Sequence, residues 1–400
     1  MKLNKIGAIV LALVIMTLNF AAFAAEDQAG TLAANGVVKN ANHSNVGTTL
    51  NIPKGVTVYG SLDKVYGPTV EYTYTIAPAT VAEGAKVTDF NNTQHIVEAG
   101  PADTASLTDA AAAFTSSEVA LTGGSAEITD NITVSINTGN FSKPGVYRYV
   151  ITDTTEISAL FAAGITRPDE YNTTRYLDVY IKYNADETGF EVYGFVLTDA
   201  NITAIEGTDD QPLTTVTPAA PAAKSHGFIA DSESSKGTDE YHTIDVRVTK
   251  KVTGSMGDKT HEFPFAIAVS NSSLNYYSGK LGSAPTQVSD LATGNATDLS
   301  AKLKNDDVFY IYGLNPKATV TYTETNDTDD IYVLTVTDVA ETALTGLDKV
   351  EIAAQNGTKA TAALAVSNYD DENSATSVAA TIAATNNTAV TFTNNLEEIS

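Results

Sequence analysis

The chain has 400 residues, 43% of them hydrophobic, with 19 tyrosines, 13 phenylalanines, no cysteine and a formal charge of −25. That is enough apolar material for two ordinary domains with packed cores, and it excludes general disorder. The acidity excludes nucleic acid and anionic membranes as partners, since a negative surface is repelled by both, and without cysteine there is no disulfide reinforcement.

Residues 1–24 carry Lys2 and Lys5, an apolar run from Ile6 to about Leu18, and small residues around Ala22 and Ala24. This is the pattern of a cleaved secretory signal peptide, so a secreted chain is expected. No second apolar stretch reaches membrane-spanning length, so no membrane span is expected in the mature chain. Residues 25–47 are small and polar and read as a flexible leader.

Short runs rich in Val, Ile, Thr and Tyr follow, bounded by Gly, Pro, Asn or Asp, and each predicts a strand. They are "TTLNIPKGVTVYG", "VEYTYTIAP", "GVYRYVITD", "RYLDVYIKY" and "FEVYGFVLTD". A Pro/Ala-rich loop then leads to a last short strand, "GFIAD", closing a first domain over 48–234. The polar stretch after it reads as a linker over 235–242. A second domain over 243–396 repeats the plan with "HTIDVRVTKKVTG", "HEFPFAIAVS", "DVFYIYGL", "ATVTYTETND", "DIYVLTVTD" and "NTAVTFTNNL", leaving a tail at 397–400. No long stretch has apolar residues at helical spacing. The expected fold is all-β, two tandem immunoglobulin-like (Greek-key) β-sandwich domains. Polar insertions around 83–130 and 340–388 are left without an assignment.

Strand periodicity exposes an oddity. In "IDVRVTKKVTG", Val246, Val248, Lys250 and Val252 point the same way, so a lysine shares the face of three valines. A buried ammonium is costly unless it is paired or gives up its proton. The same test aligns Val320, Tyr322 and Glu324, and Val390, Phe392 and Asn394. Taken singly, the lysine could snorkel to the surface and the other two could sit in turns. Taken together, on first, middle and last strands, they can satisfy one another.

Burial lowers the pKa of an amine and raises that of a carboxyl, so Lys250 could be a neutral nucleophile and Glu324 a protonated acid. An acid bonded to the Asn394 carbonyl would polarise it and shuttle protons to leaving ammonia. The expected product is an amide between the Lys250 and Asn394 side chains. The first half offers a parallel set: Lys54 aligns with Leu50 and Ile52, Asp153 with Tyr147, Tyr149 and Ile151, and Asp231 with Ile229. A Lys54–Asp231 amide would expel water with Asp153 as the assisting acid. An ordinary buried ion pair is the competing reading of that set.

The motifs "FSKPGVYRYVITD", "YNTTRYLDVYIKY", "VTKKVTG", "VTYTE" and "VTFTNN" fall in order along nearly all of the mature chain, and in them the sequence resembles the two-domain backbone pilins of Gram-positive, sortase-built pili. The resemblance implies one autocatalytic intramolecular isopeptide bond per domain, made by Lys, Glu and Asn. Lys250, Glu324 and Asn394 match that set in type. Lys54 matches too, with Asp153 standing for the glutamate and Asp231 for the asparagine. The resemblance further implies that Lys224, in "PAAKSHGFIAD", is joined by a sortase to the next subunit. Expected partners are therefore identical subunits, a sortase, minor pilins and a host-surface ligand, and the expected location is a cell-surface pilus. No L-P-x-T-G-like signal follows "NNLEEIS".

The main alternative is a non-polymerised surface adhesin built from the same domains, with its binding surface on loops. A turnover enzyme finds no support: His43, His95, His226, His242 and His261 are scattered, and neither a G-x-S-x-G nor an H-E-x-x-H motif is present. The acidic clusters "NDTDDIY" and "NYDDEN" lack EF-hand spacing and read as solvated loops, so no metal or cofactor is expected.

Overall fold

The structure is a computed structural model and describes residues 37–38, 46–88, 94–201, 225–230, 238–270, 276–288, 299–325, 332–338, 349–351, 367–368, 377–383 and 388–398. Its first half contains β1 (Thr49–Tyr59), β2 (Val70–Pro78), β3 (Ser125–Ile136) and β4 (Gly145–Asp153). A six-residue helix α1 (Ile157–Ala162) precedes β5 (Thr174–Tyr183), β6 (Phe190–Thr198) and β7 (Asp239–His242). The second half contains β8 (Ile244–Thr253), β9 (Phe263–Ser270), β10 (Tyr276–Lys280) and β11 (Val308–Leu314). It continues with β12 (Thr319–Thr325), β13 (Val333–Asp338), β14 (Ser377–Ala383) and β15 (Thr388–Asn395).

Alternation of side chains drives these strands into sheets. In β2, Val70, Tyr72 and Tyr74 are buried while Glu71, Thr73 and Thr75 face water, as a half-buried strand requires. In β8, every second residue from Ile244 to Val252 is buried. Each fully buried valine, leucine or isoleucine contributes roughly 1.5–3 kcal/mol of transfer free energy. The rows of inward residues close two separate cores, one around Ile52, Ile132, Leu177 and Phe195, the other around Val248, Phe265, Val320 and Phe392.

The first sandwich packs a sheet ordered Ile165–Thr166, β7, β1, β3, Ala105–Asp109 against one that runs Val37–Val38, β6, β5, β4, β2, Ala111–Phe114. The second packs Thr286–Val288, β10, β11, β8, β15, β13, Ser367–Asn368 against Leu299–Leu303, β9, β12, β14, Lys349–Glu351. The chain is thus all-β, two tandem immunoglobulin-like sandwiches. In each, the first strand lies beside the last in parallel: β1 pairs with β7, and β8 with β15.

One boundary differs from the sequence expectation. Among its described residues, 227–230, "GFIAD" supplies a single bridge, Phe228 to Lys54, where Gly227 (φ +142) lets the backbone come close to Pro53. The strand that closes the first sandwich is β7, inside the stretch expected to be a linker at 235–242. Its composition is polar, but its period is that of a strand: Asp239 and Tyr241 point inward, Glu240 and His242 outward. Thr243 alone separates β7 from β8. Contacts between the sandwiches reinforce that short connection. The Tyr277 hydroxyl donates to Glu118 Oε2 at 2.7 Å, Asn315 Nδ2 donates to the Ala163 carbonyl at 3.2 Å, and Ser61 donates to Asp245.

Candidate functional site

Lys250, Glu324 and Asn394 meet in the second core, and all three side chains are fully buried. Parallel pairing of β8 and β15 sets Lys250 opposite Phe392 and Val252 opposite Asn394. The lysine therefore leans along its strand toward the asparagine, one inward position further on. Glu324 arrives from β12 in the facing sheet, where it pairs with Phe265 of β9 and Val378 of β14. The site thus draws one group from the first strand, one from the opposite sheet and one from the last strand.

Lys250 Nζ donates to Glu324 Oε1 at 3.2 Å and to Oε2 at 3.1 Å. Asn394 Nδ2 donates to the same Oε1 at 2.7 Å, so amine and carboxamide share one carboxylate oxygen. The ammonium also lies 4.0 Å from the centre of the Phe263 ring. Burial pulls the Lys250 pKa down to about 8, against the opposing pull of the Glu324 charge and its hydrogen bond. Asn394 Oδ1 is buried and has no hydrogen-bond donor, an arrangement that costs roughly 1–3 kcal/mol. An amide carbonyl without a donor thus sits in the same buried cluster as a lysine amine and a carboxyl group.

The corresponding place in the first core is built differently. Lys54, on β1, is fully buried and donates to Asp239 Oδ2 at 2.7 Å and to the Tyr171 hydroxyl at 3.1 Å. Its ammonium sits 4.3 Å from the Tyr72 ring centre and 4.4 Å from that of Tyr171. Burial lowers its pKa to about 8 against the attraction of Asp239 and Asp153. Arg167, just after α1, spans two carboxylates: Nε donates to Asp239 Oδ1 at 2.8 Å, and Nη2 donates to Asp239 Oδ2 and Asp153 Oδ2, each at 2.8 Å. Asp153 Oδ2 also accepts from the Tyr171 hydroxyl at 2.8 Å, and Oδ1 from the Thr155 N–H at 2.9 Å. For Asp239, burial pushes the carboxyl up, but the Arg167 hydrogen bonds and the two neighbouring cations outweigh it and hold it below its usual value.

The structure therefore brings together the whole second set and, in the first, Lys54 and Asp153 around a shared tyrosine. Asp231 and Lys224 lie outside the described residues, as do residues 326–331 and 369–373 of the two acidic clusters. The carboxylate that reaches Lys54 is that of Asp239. Sequence reasoning missed Asp239, Arg167 and Tyr171. The signal for Asp239 was the inward pairing of Asp239 with Tyr241 in "DEYH", masked by its polar neighbours. Arg167 and Tyr171 sit in a loop, where no periodicity marks them. Among the described residues, no group of three or more His, Asp or Glu could hold a metal ion. No helix there is long and apolar enough to cross a membrane.

Residues 245–396 match a family model described as a domain of unknown function (DUF7601), which coincides with the second sandwich. No curated protein matches the chain. Among solved structures, the chain is similar to the major pilin of Streptococcus pyogenes, with 18% identity and a TM-score of 0.48, covering 88% of this chain and 99% of that one. It is also similar to the T3.2 major pilin of the same species, with 16% identity and a TM-score of 0.46, covering 90% and 99%.

Proposed function

We propose that this chain is a structural subunit of a covalently polymerised cell-surface pilus, and that its second domain crosslinks itself through Lys250 and Asn394 with Glu324 as acid and base. The observation that carries the reading is the fully buried triad, in which the amine and the amide of adjacent parallel strands contact one carboxylate oxygen. The sequence likeness to backbone pilins supports it.

The chemistry follows from the contacts. Lys250 passes its extra proton to Glu324, leaving a neutral amine and a neutral acid. A turn of the Asn394 amide then presents Oδ1 to the acid, which polarises the carbonyl. Lys250 Nζ adds to Asn394 Cγ, and the proton it sheds travels through Glu324 to Nδ2, which leaves as ammonia. The product holds a Cγ–Nζ amide and a neutral Glu324, and the ion pair has gone from the core. Nothing turns over, so the reaction is a single maturation event.

Placement gives the bond its use. β8 begins the second sandwich and β15 ends it, so tension on the chain shears these two neighbours against each other. A covalent tie between them carries that load without engaging the other strands. By the family resemblance, Lys224 is the amine through which a sortase joins subunits. The test is to extend the chain with an L-P-x-T-G signal and incubate it with a pilus sortase. Covalent ladders are expected from the wild type and none from Lys224→Ala. Ladders that survive unchanged in Lys224→Ala refute the linkage residue; no ladder from the wild type refutes polymerisation.

A further inference from the structure

The first core contains a cation that the second triad does not use in its proposed reaction. We propose that Arg167 keeps the first-domain site ionic, so that Lys54 and Asp239 close the first sandwich as a salt bridge within a four-charge cluster while only the second sandwich closes with a covalent bond. The contrast rests on the reading of the second triad as self-reacting; the ionic assignment itself rests on the first site's own contacts.

Condensing the two side chains would join Lys54 Nζ to Asp239 Cγ and release one Asp239 oxygen as water, using two protons of the ammonium. An amine adds to a carboxylic acid far more readily than to a carboxylate, so Asp239 would first have to be protonated. Its surroundings oppose that. Oδ1 accepts from Arg167 Nε, and Oδ2 accepts from both Arg167 Nη2 and Lys54 Nζ. Three charge-assisted donors hold the anion, two of them from the planar fork that fits a carboxylate. Turning Asp239 into an acid would break at least one of them.

The residue expected to assist is tied up as well. Asp153 contacts neither Lys54 Nζ nor Asp239 by a direct hydrogen bond; Tyr171 and Arg167 stand between them. Among the described residues every hydrogen-bond partner of Asp153 is a donor. The aspartate is thus held by Tyr171, Arg167 and the Thr155 N–H and touches neither condensing group, whereas Glu324 contacts both Lys250 and Asn394 directly. The Tyr72 and Tyr171 rings around Lys54 favour the ammonium over the neutral amine through their π faces. The core thus sets two acidic side chains, Asp153 and Asp239, against two basic ones, Lys54 and Arg167.

Peptide mapping of the purified full chain by tandem mass spectrometry decides the matter. The Lys54 peptide should be recovered with a free amine that labels after denaturation, with no branched Lys54–Asp239 peptide. A branched peptide lacking one water overturns the proposal. In Arg167→Gln, which removes the fork and the charge, the branched Lys54–Asp239 peptide should rise from undetectable to the greater part of the folded protein. A folded Arg167→Gln chain that stays unlinked refutes the role given to Arg167. If that variant does not fold, the wild-type map still stands as the deciding result. The Lys250–Asn394 peptide is read separately in the same map, so failure of the second-domain chemistry is distinguishable from failure here.

Discussion

Replacing Asn394 with alanine removes the electrophile, so Lys250 and Glu324 stay unlinked and the change in stability reads mainly the loss of the proposed covalent bond. The proposed bond would close a loop of 144 residues (394 − 250). On the chain-entropy model used for disulfides, such a loop stabilises the folded state by about 5 kcal/mol. The expected loss is therefore about 5 kcal/mol. Each kcal/mol moves the midpoint of a domain of this size by ~2–4 °C, so Asn394→Ala should melt roughly 10–20 °C below the wild type. Calorimetry reads the second-domain transition, and intact mass confirms that the wild type lacks one ammonia. If the variant melts within about 5 °C of the wild type, the reasoning that makes a covalent tie the main support of this domain is refuted.

Three further outcomes follow from the same geometry. Pulled from its ends, the wild-type second domain should not release the segment between the crosslinked residues, whereas Asn394→Ala should extend by roughly 500 Å more, from 144 residues at about 3.3–3.6 Å each; equal extensions would contradict the crosslink. Gly254 ends β8 at φ +89, and a Cβ there would meet the Leu396 carbonyl oxygen at 2.1 Å. Gly254→Ala should therefore destabilise the second domain by at least ~2 kcal/mol and slow the loss of ammonia from newly synthesised chain, measurable by denaturant titration and timed intact mass spectra respectively. The third concerns pH. Burial lowers the Lys54 pKa from 10.5 to about 8, so between those values the unfolded chain binds the extra proton and stability rises with pH. At about 1.4 kcal/mol per unit, the first-domain transition should gain roughly 2–3 kcal/mol between about pH 8 and pH 10, with the cost present in full below that window. Asp239 acts at the other end: its carboxyl is held below the usual range, so the stability it contributes at neutral pH is lost as the pH falls through its folded value.

Much of the second site was legible because its signal is local. The alternation of β8 put Lys250 in a row of valines, and the same rule placed Glu324 behind Tyr322 and Asn394 behind Phe392. Three inward polar groups on three strands needed only the assumption of one core. The first site was half legible for the same reason: Lys54 lies in the middle of the inward row of β1, Asp153 ends that of β4, and both are buried. Asp239 was not, since its strand is four residues long, polar, and held in place by parallel pairing with β1, a contact spanning 183 residues (239 − 56). No local pattern reports such a pairing. Arg167 depends on where the loop after α1 runs, and "ITRPDE" carries no mark of burial. The fold class followed from strand composition and turn residues, whereas the boundary between the sandwiches turned on one residue, Thr243, that looks no different from its neighbours.

The central claim is that an amine, an acid and a carboxamide brought into one dry core become an amide. Tandem mass spectrometry of peptides carrying Lys250 and Asn394 from the purified chain tests it most directly. A single branched peptide, lighter than its two components by one ammonia and lost in Glu324→Ala, is the predicted result. Recovery of the two peptides apart, with Lys250 bearing a free amine and Asn394 an intact carboxamide, would contradict it.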